Sequence, residues 1–152
     1  MSYRLNIESF LNVITGKTFI KSCVLSEEQK TLFIHFYNSY LEYQFDNPDT
    51  KITEDIYLDY FGTFNKIEKW IVLEPARILR DFKESNCIEI TLPFEEKVYH
   101  ATVERNELNK FLGFDITLLD PIDKTWNEKF SDVYGYGLKN AKRTALFNYL
   151  TK

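Results

Sequence analysis

The stretch Ser26 to Phe45, SEEQKTLFIHFYNSYLEYQF, constrains the fold more than any other part of the chain. Ser26 followed by Gln29 has the form of a capping box, in which the serine oxygen takes an amide of the first turn and the glutamine reaches back. Glu27 and Glu28 stand where the positive end of a helix dipole favours acids. At helical spacing, Leu32, Phe33, Ile34, Phe36, Tyr37, Tyr40, Leu41, Tyr43 and Phe45 fill an arc of roughly 220°. Thr31, His35, Asn38, Ser39, Glu42 and Asp46 fill the remainder, and Asn47-Pro48 supplies a stop. The expectation is one central helix over about 26–45. The competing reading makes Thr31–Tyr37 a strand in a hairpin closed at Ser26–Lys30. Against it, Leu32, Phe33 and Ile34 run together instead of alternating.

An apolar stripe on an ordinary surface helix is only somewhat wider than about 100°. An arc of twice that width is either covered on two sides by its own chain or leaves an aromatic edge for a partner. Tyr37, Tyr40 and Tyr43 are the residues expected at such an edge, because a phenol tolerates a half-wet interface. Glu42 and Asp46 lie beside them as acidic partner contacts.

The length of 152 residues points to a single globular domain over 1–152, long enough to bury about two-thirds of its unfolded surface. Aromatic residues make up 16% of the chain, which is the unusual number. An AT-rich genome accounts for that bias without any function, whereas binding surfaces also favour aromatics. The net charge of −4 argues against a general affinity for nucleic acid. Cys23 and Cys87 form no motif, Met1–Leu11 has no leader pattern, and no apolar run nears the ~20 residues of a membrane span. The expectation is a cytoplasmic protein with free thiols, no cofactor and no membrane association.

Along the rest of the chain, Asn6 caps a short helix carrying Ile7, Phe10, Leu11 and Ile14 on one face, closed by Gly16. Thr18–Leu25 is extended in character. Thr53 opens a helix through Phe61, Gly62 ends it, and Thr63 caps the next. Phe64, Ile67, Ile71, Ile78 and Phe82 keep one phase across Pro75, so a single helical path kinked or broken there is expected, with Glu74 pushed from helical geometry. Cys87–Leu92, Lys97–Glu104 and Gly113–Leu119 alternate and read as three strands of a small antiparallel sheet over about 87–119. A C-terminal helix runs from about Leu138 to Leu150. Strands clustered between groups of helices give an α+β class.

Residues able to carry chemistry are scattered. His35 and His100 have no neighbours at metal-ligand spacing, and a zinc site needs three or four. The carboxylate pairs Glu27/Glu28, Glu54/Asp55 and Glu95/Glu96 read as helix starts and a turn. Arg77, Arg80 and Lys83 are spaced to line one side of a helix. From Ser26 to Gly62, eight acids face only Lys30 and Lys51, a net charge of −6 over 37 residues. Such a surface suits a basic partner.

The C-terminus is the opposite. No acid follows Asp132, and Lys139, Lys142, Arg143 and Lys152 are its cations. Gly135-Tyr-Gly137 opening a basic helix is a ready anion site. Lys139-Asn-Ala-Lys142 resembles the last loop and helix of double-stranded-RNA-binding domains, though the serine-lysine pair preceding that run is missing. Ala141-Lys-Arg-Thr-Ala-Leu146 is similar to a helix of single-strand annealing proteins. Each resemblance spans about a tenth of the chain and implies nucleic-acid contacts at Lys139, Lys142 and Arg143. Lys142 falls between Leu138 and Leu146 on the apolar face.

The leading functional expectation is a non-catalytic protein-binding module that docks a macromolecular partner. In size and charge it is similar to small acidic immunity proteins and phage-encoded inhibitors. The alternatives are a nucleic-acid-binding or strand-annealing protein using Lys139, Lys142 and Arg143, and an enzyme whose site no motif marks. A homodimer would account for surplus aromatic surface with no foreign partner.

Overall fold

The segment expected as a central helix is a strand, a turn, a second strand and a short helix. A computed structural model describes residues 3–152, without the side chain of Leu5. Met1 and Ser2, which enter the reading of a leader, lie outside the described residues. Helix α1 (Tyr3–Leu11) and a 3₁₀ turn (Lys17–Phe19) lead into β1 (Ile20–Ser26) and β2 (Thr31–Phe36). Helices α2 (Tyr40–Asp46), α3 (Glu54–Phe61) and α4 (Phe64–Asp81) follow, then the hairpin β3 (Cys87–Phe94) and β4 (Lys97–Glu104). Helix α5 (Arg105–Leu112), a 3₁₀ turn (Ile116–Leu118), a π-helical stretch (Asn127–Ser131) running into α6 (Asp132–Gly135), and α7 (Ala141–Leu150) complete the chain. The α+β class holds.

The physical reason for the difference at Ser26–Phe45 lies in two signals that serve more than one structure. Ser26 Oγ does accept from the Gln29 amide, at 3.3 Å, but the bond closes the β1–β2 turn and starts no helix. Lys30 completes that turn with φ 53°, and its carbonyl accepts from the Asn86 amide at 2.8 Å. The apolar run Leu32-Phe33-Ile34 belongs to a central strand, flanked by β1 and β3 and half-buried even at Phe33. Leu32, Ile34 and Phe36 are buried on the core face while His35 is exposed on the other, so the strand does alternate in burial, and the apolar Phe33 on the open face conceals it in the sequence. The true helix start is Ser39, whose Oγ accepts from the Glu42 amide at 3.2 Å.

The sheet is mixed, not antiparallel throughout. Its order is β1-β2-β3-β4, with β2 and β3 parallel across the α2–α3–α4 crossover. Strand β1 is its fourth member, and the strand expected at Gly113–Leu119 is absent. There, Gly113 closes α5 and Asp115 caps the 3₁₀ turn that buries Ile116 and exposes Leu118. Cross-strand register puts Leu32, Ile88 and Val103 in one row, and Ile34, Ile90 and Ala101 in the next. These face Ile67, Ile71, Ile78 and Leu79 of α4 and Leu146 and Leu150 of α7, all in one buried cluster. Each buried Leu, Ile or Val side chain among them contributes roughly 1.5–3 kcal/mol by burial.

Helix α4 passes unbroken through Pro75, and Glu74 stays helical. The proline forfeits one amide donor, which the buried face outweighs. Arg77, Arg80 and Lys83 do not form one cationic line. Arg77 pairs with Glu74, while Arg80 stacks over Trp126 and binds Asp81 at 2.7 and 2.9 Å. Lys83 lies beyond the helix. Helix α7 begins at Ala141, capped by Asn140, three residues later than expected.

Candidate functional site

Strands β2 and β3 pair from Thr31–Cys87 to His35–Thr91 and no further. Beyond that point Pro93 has no amide to offer, and the other strand turns away at Asn38 and Ser39 into α2. The two strands separate, and a pocket of about 230 Å³ opens at their carboxyl ends. The carboxyl ends of parallel strands are the usual place for ligands in open α/β sheets.

Aromatic rings wall this pocket. Phe36 and Tyr37 come from the end of β2, Phe94 from β3, Tyr40 from α2, Tyr57 and Phe61 from α3, and Phe19 from the turn before β1. Tyr57 meets Phe19 edge-on at 5.2 Å and Tyr40 at 5.6 Å, and Phe36 meets Phe61 at 5.5 Å. Tyr40 Oη donates to the Ile52 carbonyl at 2.8 Å, which fixes its ring. Burial pushes the Tyr57 phenol up to about 12, so it is neutral at physiological pH. The polar residues of the pocket are Asn38, Ser39, Glu54 and Glu95, so its formal charge is negative.

Glu95 is held in an unusual backbone. It and Glu96 are the two central residues of the β3–β4 turn, with φ of 48° and 64°. Two-residue hairpin turns with both φ positive favour Asn-Gly. Keeping two glutamates in left-handed conformations costs about 1 kcal/mol or more each. Strain of this kind concentrates at functional sites, and here it sits in a residue lining the pocket.

Of the residues expected at a partner-binding edge, the structure brings Tyr37 and Tyr40 to this pocket. Tyr43 is only 3% exposed and stacks on Tyr57 from behind, its hydroxyl 2.7 Å from Thr50 Oγ1. Glu42 accepts from the Asn38 amide and side chain and pairs with Lys21 at 3.2 Å. Burial works against its charge, yet these donors hold its carboxyl below the ordinary range. Asp46 is exposed at the end of α2. The apolar edge left over is not the tyrosines: it is Leu41 and Phe45, 75% and 85% exposed. Tyr57, Phe61 and Phe94 are missed by sequence reasoning, and Glu54 and Glu95, which read in the sequence as a helix start and a turn, also line the pocket; the one local signal is Pro93 next to a glutamate-pair turn.

At the C-terminus Arg143 is fully buried. Its Nε donates to Glu68 at 3.0 Å, Nη1 to the carbonyls of Tyr134 and Tyr136, and Nη2 to those of Gly137 and Leu138. It is the clasp of the Gly-Tyr-Gly loop and has no donor directed at solvent. Lys139 and Lys142 are exposed, Lys142 included, so its placement on the apolar face does not hold.

His35 and His100 share one cross-strand row through Thr91 on the sheet face away from the helices, with Thr91 Oγ1 3.4 Å from His100 Nδ1. Among the described residues, no three His, Cys, Asp or Glu could hold a metal ion. Cys23 and Cys87 are unbonded, and burial pushes the Cys87 thiol up to about 11. Among the described residues no helix is long and apolar enough to cross a membrane. No protein family, curated protein or solved structure matches the chain.

Proposed function

We propose that this chain is a non-catalytic protein-binding module whose aromatic pocket receives a cationic side chain of a basic partner segment. The observation that carries this reading is the aromatic box at the ends of β2 and β3, lined also by Glu54 and Glu95. A cation over an aromatic face gains about 0.5–2 kcal/mol, most when desolvated. The volume of about 230 Å³ falls below the ~300–1,000 Å³ of small-molecule sites and suits one side chain. The excess of acids from Ser26 to Gly62 supports attraction of a basic surface over longer range. Leu41 and Phe45, next along α2 from Tyr40, offer apolar contact to the residues flanking the inserted one.

The test is a titration of the full chain with an arginine-containing peptide, followed by NMR, beside the same peptide with Arg→Gln. Shifts gathered at Tyr37, Tyr57 and Phe94, weakened by salt and by Glu54→Gln with Glu95→Gln, support the reading. Equal binding of the two peptides defeats it.

A further inference from the structure

A second cleft, on the flank of α4, has the opposite electrostatic character. Its volume is about 470 Å³, within the ~300–1,000 Å³ typical of small-molecule sites. Along α4, Lys66, Lys69, Leu73 and Arg77 recur at three- and four-residue spacing and line it as one stripe. Tyr60, Phe61 and Trp70 supply its aromatic wall. On a chain of net charge −4, this gathering of cations is local and deliberate in placement.

The charges do not cancel. Glu74 is 5% exposed and pairs with Arg77. It therefore neutralises Arg77 and fixes the guanidinium at the cleft. Lys66 and Lys69 have no ion pair among the described residues. Two positive charges remain uncompensated. The aromatic wall is rigid on one side: Trp70 Nε1 donates to the Thr15 carbonyl at 2.8 Å, and its ring packs edge-on against Phe36 at 4.8 Å. The half-buried Tyr60 hydroxyl has no hydrogen-bond partner among the described residues and stands beside Gly16.

We propose that this cleft binds a small phosphorylated compound carrying a planar ring, the chemistry of a mononucleotide. A phosphate monoester carries about −1.5 to −2 near neutral pH, which matches the two uncompensated lysines. Arg77, oriented by Glu74, adds planar donors suited to phosphate oxygens. The ring lies against Tyr60, Phe61 and Trp70, with the Tyr60 hydroxyl as a donor or acceptor to its edge.

The experiment is calorimetric titration of the full chain with AMP, adenosine, inorganic phosphate and phenyl phosphate. The expected result is one saturable site for AMP, at least about tenfold tighter than for adenosine or phosphate alone, as the loss of a charge-assisted contact implies. Lys66→Gln with Lys69→Gln should weaken AMP by about tenfold or more while leaving the melting temperature and the adenosine affinity in place. Adenosine or inorganic phosphate binding as tightly as AMP overturns the proposal. So does an AMP affinity indifferent to the two lysines, or a Kd weaker than about 1 mM for both AMP and phenyl phosphate.

Discussion

Arg143 Nε lies 3.0 Å from Glu68 Oε1, and the two side chains are 0% and 2% exposed. Thr144 Oγ1 donates to the other carboxylate oxygen at 3.0 Å, so the buried charge is paired on both sides. Breaking such a pair by removing one partner leaves the other charge stranded, at about 3–5 kcal/mol. Arg143→Met should therefore lower the unfolding free energy by about that much, read from urea denaturation. Lys142→Glu, at an exposed position of the same helix, should stay within about 0.5 kcal/mol. Equal stability of the two variants would refute the assignment of Arg143 as the structural clasp. Loss of oligonucleotide binding in an Arg143 variant would therefore report unfolding, and Lys139 and Lys142 are the residues that can test a nucleic-acid role.

Replacing Glu95-Glu96 by Asn-Gly removes two strained backbones and supplies the residues that such a turn prefers. The variant should be more stable by roughly 1–2 kcal/mol, a rise of a few degrees in melting temperature for a chain of this size. It should at the same time bind the arginine peptide less well, because a pocket carboxylate is gone. A gain in stability with unchanged binding would detach the turn from the site.

Glu74 and Asp115 should give opposite pH slopes. Burial lifts the Glu74 carboxyl above its ordinary value, against the pull of Arg77 and Thr15. A folded pKa above the unfolded one gives stability that is full below about pH 4.3 and lost as pH rises through the folded value. Asp115 is held below its ordinary value by the Thr117 amide and hydroxyl. Its contribution is present above about pH 3.9 and lost as pH falls through the folded value. Against the wild type, Glu74→Gln should gain relative stability from pH about 4 upward, and Asp115→Asn should lose its disadvantage only in acid. Parallel stability–pH curves for Glu74→Gln and the wild type would remove the buried-carboxylate account.

These residues also show what was readable in the chain. The boundaries at Thr53, Gly62 and Thr63 and the β3–β4 hairpin were legible, because boundary residues and alternation act over a few positions, although of the two threonines only Thr53 makes a side-chain cap bond. The β1–β2 hairpin at Ser26–Phe36 was not, because the Ser26–Gln29 bond serves turn and cap alike, and the apolar Phe33 on the open face of β2 hides the alternation of Leu32, Ile34 and Phe36 on the core face. The one real helix start in Ser26–Phe45 stands thirteen residues on from Ser26, at Ser39 and Glu42, inside the same aromatic run. The pocket depends on where β2 leaves β3, a pairing of residues as far apart as Thr31 and Cys87 that no local pattern encodes. Glu68 and Arg143, 75 residues apart, meet for the same reason.

Gly16 and Gly113 provide a matched pair for the α4 cleft. Both sit in the left-handed region, with φ of 80° and 84°, so alanine at either position meets a similar backbone cost of about 1–2 kcal/mol. Their surroundings differ. A Cβ at Gly113 would meet nothing within 4 Å, whereas one at Gly16 would lie 2.9 Å from Tyr60 Oη and 3.2 Å from Trp70 Nε1. Trp70 is anchored to Thr15, so Tyr60 is the side chain that must move. Gly113→Ala should thus show the backbone cost alone and leave AMP binding unchanged. Gly16→Ala should be destabilised further, by about another 1 kcal/mol, and should lose AMP affinity as Tyr60 shifts in the cleft. If both variants fall equally in stability, measured by thermal unfolding, the close approach of Gly16 to Tyr60 contributes nothing, and the rigid aromatic wall proposed for the ligand is wrong.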